Sequence, residues 1–318
     1  MLIVISEFMD EPAVQALRER FEVRYDPGLA ESRAALLAAA GEADALIVRN
    51  RSRVDAALLA AAPRLKAVGR LGVGLDNIDL DGCAARGIRV MPATGANARA
   101  VAEYVIGATL ALLRGVYGAT GAVAGGHWPR ASLSAGLEAH GRTLGVVGFG
   151  GIGQLVATLA RGLGMRVLGC DAALAPGHPA WAETGARPAA LDALLAEADV
   201  VSLHVPLTPD TRNLLDERRL ALMRPGAVLI NTARGGIVDE AALAAALRAG
   251  RLRGAALDVF GREPLAAGGA LAAVLADTPA AANLILTPHI AGLTAEANTR
   301  VSEMVANGVT MALTGKAA

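Results

Sequence analysis

The sequence predicts an α/β protein with two doubly wound parallel sheets, the second inserted into the chain of the first. Two stretches of the 318-residue chain alternate short apolar runs with helical runs, which is typical of parallel sheets. A glycine-rich turn joins an apolar run to a helical run near the middle of the chain. The predicted domains are residues 1–96 plus 287–318 and residues 97–286, since a chain of this length is expected to form two cores.

Strand-like and helical runs alternate through the first stretch, at 2–5, 14–20, 22–25, 32–40, 45–48, 54–61, 67–69, 81–86 and 88–91. Asp10 before Glu11-Pro12 and Ser32 before an alanine-rich run are predicted helix N-caps. This sheet lacks an obvious closing helix. We therefore assign the predicted final helix, 296–313, to the first domain, which makes that domain discontinuous.

A turn-rich break at 92–97 precedes a predicted long helix, 99–124, which should be buried because it is apolar or small on most sides. Its glycines at 107, 115, 118 and 121 leave two packings open, within the domain or against a second subunit, and the second favours a homodimer. Six strands are predicted beyond it, at 144–147, 165–169, 200–204, 227–231, 255–259 and 284–286.

Composition excludes several classes of function. The chain has 30 basic and 30 acidic residues, and this balance argues against binding nucleic acid or a membrane surface as the main role. Two isolated cysteines, Cys83 and Cys170, form neither a disulfide scaffold nor a metal-ligand set, which favours a reducing cytoplasmic location and no bound metal. We see no signal peptide and no comfortable membrane span, so a soluble protein is expected.

The glycine-rich turn has the pattern Gly148-x-Gly150-x-x-Gly153 between a strand and a helix. In this pattern the first glycine allows a tight turn, the second lets a pyrophosphate approach the backbone, and the third lets the helix pack closely. The helix N-terminus then faces the phosphates. The alternative is a strand-to-helix turn without a ligand, because the chain contains 37 glycines.

Asp171 ends the next predicted strand, at the distance from the glycine motif where an acidic residue binds the ribose hydroxyls of a dinucleotide. Its carboxylate would repel a 2′-phosphate, and Ala172-Ala173 supply no arginine to attract one. The pattern therefore favours NAD over NADP. A surface aspartate that only closes a strand is the alternative.

Three segments at the ends of late strands carry polar side chains, at 231–240, 257–264 and 286–292, and ligands of open α/β sheets bind at such ends. With the glycine motif, these segments resemble the D-2-hydroxyacid dehydrogenase family over nearly the whole chain. The resemblance implies a Rossmann NAD-binding domain inserted in a flavodoxin-like substrate domain. It also implies that His289 is the acid/base, Glu263 its carboxylate partner, Arg234 the anchor of the substrate carboxylate and carbonyl, and Asp258 a nicotinamide contact.

These residue types suit the oxidation of a secondary alcohol. A base must take the hydroxyl proton while a hydride leaves the same carbon, and a histidine that titrates near neutrality serves both directions. An arginine fork matches a carboxylate. Each residue also has a structural alternative: a capping or packing role for His289, a solvated turn for Arg234, and simple exposure for Glu263.

Further cofactor contacts are implied by the resemblance: Ile152 behind the pyrophosphate, His204 and Pro206 near the adenine and ribose, Thr232 and Ala233 beside the nicotinamide, and Gly292. Gly151 departs from the family, many members of which have arginine there. The pyrophosphate would then be bound by backbone amides.

Two loops of the first domain, 49–53 and 68–79, follow adjacent strands. Resemblance to phosphoglycerate dehydrogenases implies that Arg49 and Arg70 serve an anionic substrate and that the amides of Gly72, Val73 and Gly74 bind its carboxylate. The extra arginines predict a second anion, a phosphate or sulfonate on carbon 3. For Arg51 and Arg53 a solvated loop is the alternative.

Four segments, 5–10, 49–53, 91–95 and 126–130, look more like sulfolactate dehydrogenases than typical phosphoglycerate dehydrogenases. (S)-Sulfolactate has the spatial arrangement of a D-hydroxy acid, so either substrate fits. The expected function is an NAD-dependent dehydrogenase of a small, dianionic 2-hydroxy acid. The alternatives are a glyoxylate/hydroxypyruvate reductase and, from another class, an NAD-sensing protein like the C-terminal-binding-protein corepressors.

Overall fold

The computed structural model describes residues 1–277 and 283–315 and divides into two compact units. Met1–Asn97 with Leu293–Ala318 form the first unit, and Ala98–Gly292 form the second. The second unit thus ends at Gly292 rather than at the predicted residue 286. The reason is local, because the segment after the last strand hydrogen-bonds into the second unit.

The first unit contains a five-stranded parallel sheet with strand order β2-β1-β3-β4-β5. Its strands are β1 (Leu2–Ile5), β2 (Glu22–Tyr25), β3 (Ala45–Val48), β4 (Ala67–Arg70) and β5 (Arg89–Pro92). Its first helices are α1 (Glu11–Arg18), α2 (Arg33–Glu42), α3 (Ala56–Ala61) and α4 (Leu80–Ala85), with a 3-10 helix at Pro27–Glu31. This order is the flavodoxin-like arrangement that the family resemblance implies.

Both faces of this sheet are buried, because successive strand residues point to opposite sides. On one face the strand residues Ile3, Ile5 and Ile47 pack against the final helix, Ala295–Thr314. The helix residues at this contact are Val301, Val305 and Val309. On the other face the strand residues Val4, Leu46, Val48 and Val68 pack against Leu36 of α2 and Leu58 of α3. Strands β1 and β3 therefore read as continuous apolar runs, whereas the edge strand β2 alternates exposed and half-buried residues.

The two predicted N-caps of this unit have different outcomes. Ser32 caps α2, since its side chain accepts a hydrogen bond from the backbone N–H of Ala35. Asp10 precedes α1, but its side chain makes no capping bond. Its Oδ2 instead accepts a hydrogen bond from the Thr299 hydroxyl at 3.1 Å, which joins α1 to the final helix.

The second unit contains a seven-stranded parallel sheet with strand order β12-β11-β10-β9-β6-β7-β8. Its strands are β6 (Thr143–Val147), β7 (Arg166–Cys170), β8 (Arg187–Pro188), β9 (Val200–Leu203), β10 (Val228–Asn231), β11 (Gly254–Leu257) and β12 (Leu284–Leu286). The order reverses between β6 and β9, as in a Rossmann fold. Sequence reasoning missed β8, since two residues that include a proline carry no periodicity.

The remaining helices are α5 (Ala98–Arg114), α6 (Thr120–Ala124), α7 (Gly151–Gly162), α8 (Pro179–Thr184), α9 (Leu191–Glu197), α10 (Glu217–Leu222), α11 (Glu240–Arg248), α12 (Ala270–Asp277) and α13, the final helix (Ala295–Thr314). Helices α5 and α7 pack on one face of the second sheet. Helices α9, α10 and α11 cover the other face.

The prediction of one long buried helix over 99–124 is wrong beyond Arg114. Gly115 adopts a φ of +63°, which ends α5, and a 3-10 turn at Tyr117–Ala119 leads into the short helix α6. None of the residues of α6 is buried, and Tyr117 is 68% exposed. In the part of the chain that the structure describes, no single helix is long and apolar enough to cross a membrane; only α5 taken together with Tyr117–Ala124, across a 72° bend, meets that test of length and composition.

Candidate active site

The glycine motif forms the turn between β6 and α7. Gly148 has a φ of +91°, and a Cβ on it would collide with the carbonyl group of His204. A Cβ on Gly153 would collide with the carbonyl oxygen of Gly148, so both positions require glycine. The space beside Gly150 and Gly151, where α7 begins, contains no described atom within 4 Å of an added Cβ. This helix N-terminus can therefore admit a pyrophosphate against bare backbone amides.

Asp171 is anchored to the same turn. Its Oδ2 accepts a hydrogen bond from the backbone N–H of Phe149 at 2.6 Å, and its Oδ1 accepts one from Ala173 at 2.8 Å. A carboxylate has about four acceptor positions, so it retains capacity for ribose hydroxyls. Because the carboxylate is fixed beside the glycine turn, its geometry fits a dinucleotide site better than a strand-closing surface role. Ile152 lies half-buried in the first turn of α7.

His204 and Pro206 follow β9 on the neighbouring strand. The imidazole Nε2 of His204 lies 2.8 Å from the Ser202 hydroxyl. Burial lowers the pKa of His204 to about 4, so the ring is neutral at pH 7. The carbonyl of Pro206 accepts a hydrogen bond from the Thr211 hydroxyl at 2.6 Å, which shapes the loop.

A carboxylate–imidazole pair lies beyond β11 and β12. The Nδ1 atom of His289 is 2.8 Å from Oε2 of Glu263, and both side chains are about one-third exposed. The other oxygen of Glu263 accepts a hydrogen bond from the backbone N–H of Phe260 at 3.1 Å. Because a carboxylate only accepts hydrogen bonds, Nδ1 carries the proton in this pair and Nε2 is the nitrogen that faces away from Glu263.

His289 has a left-handed backbone conformation, with a φ of +56°. Such a conformation is uncommon for a residue other than glycine and persists only where the surroundings hold it. Here the His289 N–H donates to the carbonyl oxygens of Asp258 and Thr287 at 2.9 and 3.0 Å. The imidazole is therefore placed by its backbone as well as by Glu263.

Asp258 holds the segment that carries His289. It is only 1% exposed, and its Oδ1 accepts from the Thr287 hydroxyl at 2.6 Å and from the Ile290 N–H at 2.8 Å. Its Oδ2 accepts from the Ala291 N–H at 2.8 Å. The Thr287 hydroxyl also lies 2.6 Å from the Tyr104 hydroxyl of α5. The Asp258 carboxylate, which the resemblance assigns to a nicotinamide contact, is thus hydrogen-bonded by the 287–291 segment. Gly292, the residue that follows this segment, is half-buried.

Arg234 lies in a turn that is held by two hydrogen bonds from the side chain of Asn231, the last residue of β10. Oδ1 of Asn231 accepts from the Ala233 N–H, and Nδ2 donates to the Arg234 carbonyl, each at 3.0 Å. Nη1 of Arg234 donates to the Ala233 carbonyl at 2.6 Å. Arg234 is half-buried, and Thr232 beside it has a buried hydroxyl with no hydrogen-bond partner among the described residues. This turn is therefore more ordered than a solvated one.

The predicted substrate residues lie in the first unit, where two loops follow β3 and β4. Nη1 of Arg70 donates to the Leu71 carbonyl at 3.0 Å, and its guanidinium lies against Gly72, whose φ is +148°. Val73 is exposed, and Gly74 is half-buried.

Arg49 is half-buried and makes contacts of its own. Its Nη2 donates to Oδ1 of Asn298 at 2.7 Å. Arg51 instead pairs with Glu31 at 2.6 Å on the surface, and Arg53 is also exposed. The solvated alternative therefore fits Arg51 and Arg53 but not Arg49.

Sequence reasoning missed several residues that organise these loops. Thr287 and Tyr104 support the His289 segment, while Glu7 and Asn298 contact the Arg49 loop. One signal was available for Glu7, an acidic residue shortly after a buried strand. The rest depend on partners far away in the sequence. Within residues 1–277 and 283–315, no group of His, Cys, Asp and Glu is arranged to hold a metal ion.

The family described as D-isomer specific 2-hydroxyacid dehydrogenase, NAD binding domain, matches residues 106–291, more than half of the chain. The chain belongs to that family. It is 52% identical to an (S)-sulfolactate dehydrogenase of Chromohalobacter salexigens over 98% of each chain. It is 42% identical to a D-3-phosphoglycerate dehydrogenase of Mycobacterium leprae over 99% of this chain and 57% of that protein.

A solved structure gives the same result for the fold. The D-lactate dehydrogenase from Aquifex aeolicus, complexed with NAD and lactic acid, has a TM-score of 0.85 and 31% identity, covering 99% of this chain and 96% of that one. The predicted pair of parallel-sheet domains is thereby confirmed. This D-2-hydroxyacid dehydrogenase is an NAD-dependent oxidoreductase, which confirms the enzyme class and the cofactor that the sequence predicts.

Proposed function

We propose that this dehydrogenase acts on C2 of a small dianionic 2-hydroxy acid, of the sulfolactate or 3-phosphoglycerate type. The observation that supports the chemistry is the hydrogen bond between His289 and Glu263 at 2.8 Å. The choice of substrate is supported by 52% identity, over 98% of both chains, to a sulfolactate dehydrogenase.

His289 is the proposed acid/base. In the oxidation direction its Nε2 takes the proton of the C2 hydroxyl, and in reduction it returns a proton to the carbonyl oxygen. Glu263 stabilises the imidazolium that forms during oxidation and fixes which nitrogen reacts. Arg234 binds the carboxylate and carbonyl of the substrate through its fork of N–H groups.

The glycine turn and Asp171 are the proposed cofactor site. Amides of Gly150, Gly151 and Ile152 at the start of α7 bind the pyrophosphate, and the Asp171 carboxylate accepts hydrogen bonds from the ribose hydroxyls. When bound, NAD supplies the hydride acceptor. Thr232, Ala233, His204, Pro206, Asp258 and Gly292 complete the proposed contacts.

Arg49, Arg70 and the amides of Gly72 to Gly74 are the proposed substrate-binding groups. A lactate-like substrate has one anion, and Arg234 already serves it. The half-buried Arg49 gives the first unit a cation for a second anion, because desolvation strengthens its attraction for sulfonate or phosphate.

The test is a panel of 2-oxo acids assayed with NADH. Sulfopyruvate and phosphohydroxypyruvate are the dianions, with a second anionic group besides the carboxylate, and glyoxylate and hydroxypyruvate are smaller acids with the carboxylate alone. We expect kcat/KM for one dianion to exceed that for both monoanions by at least about tenfold, the effect of a single ion pair. Preference for glyoxylate or hydroxypyruvate would identify a reductase of those acids. Binding of NADH with no reduction of any of the four would favour an NAD-sensing protein.

We also propose a cytoplasmic homodimer. The segment after α5 leaves apolar side chains in solvent, with Tyr117 68%, Trp128 77% and Val123 45% exposed, and such exposure is typical of an interface. Both cysteines are free thiols, which is in keeping with a reducing compartment. Light scattering of the wild type and of Trp128→Glu tests the dimer: a monomeric wild type would contradict it, and a monomeric variant alone would locate the interface.

A further inference from the structure

A buried carboxylate underlies the loop that carries Arg49. Glu7 follows β1, is only 5% exposed, and points under the loop that follows the adjacent strand β3. Its Oε1 accepts from the N–H groups of Arg49 and Ser52 at 2.8 and 3.0 Å, and its Oε2 accepts from the Arg51 N–H at 3.1 Å. A buried charge is tolerated when hydrogen bonds satisfy it, as three backbone donors do here.

The other side of the same loop is held by amide and hydroxyl groups. Nδ2 of Asn77 donates to the carbonyls of Arg49 and Ser52 at 3.0 and 2.6 Å. The hydroxyls of Ser6 and Ser52 lie 2.8 Å apart. Donors and acceptors of the loop backbone are therefore both engaged, which gives the loop one conformation.

The Arg49 side chain is oriented by neutral oxygens. Nη2 donates to Oδ1 of Asn298 on α13 at 2.7 Å, and Nη1 donates to the Phe8 carbonyl at 3.4 Å. The guanidinium carbon lies 5.9 Å from the centre of the Phe8 ring. The guanidinium has five N–H groups, and these two contacts leave it able to bind an anion.

We infer that Glu7 is a positioning residue for substrate specificity: its carboxylate fixes the 49–52 loop so that Arg49, oriented by Asn298, meets the second anion of a dianionic substrate. This inference rests on the proposed function, since it deepens the role given there to Arg49. Glu7 itself does not touch the substrate, because it is buried beneath the loop. Its effect is therefore on the position of the cation and not on the chemical step.

The decisive variant is Glu7→Gln. A glutamine has nearly the same shape, but its amino group would face at least one of the three backbone N–H donors. We expect KM for the preferred dianion, measured against sulfopyruvate and phosphohydroxypyruvate, to rise about tenfold or more. We expect kcat, and KM for glyoxylate and hydroxypyruvate, to stay within about twofold.

Asp44→Asn is the matched control. Asp44 is an equally buried carboxylate of the same sheet, and it accepts from the Leu2 N–H and pairs with Arg64 and Lys66. It lies at the opposite end of β1 from Glu7. We expect this control to lower thermal stability without changing the dianion-to-monoanion ratio of kcat/KM.

The result that overturns the inference is a Glu7→Gln enzyme whose dianion-to-monoanion ratio stays at the wild-type value, while Arg49→Ala lowers it. If Arg49→Ala leaves the ratio unchanged, or the wild type does not prefer a dianion, the proposed substrate fails and the inference fails with it. Should Glu7→Gln not fold, Asn298→Leu removes the acceptor that orients Arg49 and leaves Glu7 in place. An unchanged ratio in that variant also contradicts the inference, and a reduced one supports it.

Discussion

In each unit a buried carboxylate holds a loop in place through hydrogen bonds. Glu7 follows β1 and holds the loop after β3, while Asp258 follows β11 and holds the segment after β12. In both cases the two strands are neighbours in a parallel sheet. Each carboxylate accepts three hydrogen bonds from the loop that it supports.

The two carboxylates differ in what they position. Glu7 positions a cation, and the attraction between charges falls slowly with distance. Asp258 positions an imidazole, and proton transfer requires the reacting atoms to lie within hydrogen-bond reach. A small displacement is therefore tolerated in the first unit as weaker binding, and in the second unit it slows the reaction. The comparison predicts effects on KM from Glu7 and on kcat from Asp258.

The largest expected effect is the loss of kcat when the His289 imidazole, which Asp258 positions, is removed. His289→Ala should lower kcat about 10³-fold, the usual range for loss of a general acid/base, while NADH binding persists. Steady-state kinetics and calorimetric titration with NADH measure the two quantities. His127→Ala, an exposed histidine of the same unit, is the control and should leave kcat unchanged. A His289→Ala enzyme within about tenfold of the wild type would remove His289 from the chemistry.

Asp258→Asn tests the difference between the two carboxylates most directly. The amino group of asparagine would oppose N–H donors of the 287–291 segment and shift His289, so kcat should fall about 10²-fold with KM for the dianion nearly unchanged. Asp199→Asn is the control, because Asp199 also accepts a backbone N–H, that of Thr143 at 2.8 Å, but at the other end of the sheet. If Asp258→Asn raised KM and left kcat unchanged, Asp258 would act as Glu7 does. That result would contradict the predicted difference between the two carboxylates.

Thr287→Val removes one of the three hydrogen bonds to Asp258 and the contact with Tyr104. A net hydrogen bond contributes about 1 kcal/mol, so kcat should fall roughly fivefold. Thr287→Ser keeps the hydroxyl and should restore most of the loss. If serine is no better than valine, packing of the methyl group and not the hydrogen-bond chain supports the segment.

The smallest expected effect concerns His204, a strand-end residue that the fold keeps neutral. Its pKa of about 4 in the folded protein lies below the ordinary value of 6.5, so the unfolded chain binds more protons between these values. Stability should therefore decline as the pH falls from 6.5 towards 4, by about 1 kcal/mol between pH 7.5 and 5.5. Urea unfolding at the two pH values measures it. His204→Gln should reduce this decline by the same amount, and an undiminished decline would assign it to other groups.

Much of the fold could be predicted because its elements follow local patterns. The strand 2–5 and the strand 45–48 are found where their apolar runs lie, since a strand buried on both faces needs continuous apolar residues. The error at 99–124 has a physical cause as well. Apolar composition indicates a helix but does not reveal that Gly115 turns the chain through a left-handed residue.

Only part of the candidate site could be predicted from the sequence. The His289–Glu263 pair, Arg234 and the glycine turn lie in segments whose residue types suggest their proposed chemistry directly. The supporting residues do not, because Tyr104, Thr287 and Glu7 are ordinary residues until their partners are known. Hydrogen bonds to distant segments give them their roles.

The sequence by itself predicted the NAD cofactor and the family, because the glycine spacing, the position of Asp171 and the three late strand-end segments are local properties of the chain. Only the tertiary structure decided which carboxylate supports which loop. Glu7 meets the Arg49 N–H across 42 residues, and Asp258 meets Thr287 across 29. The physical reason is that a parallel sheet brings together the ends of strands that are neighbours in space, and that order is not written in any single segment.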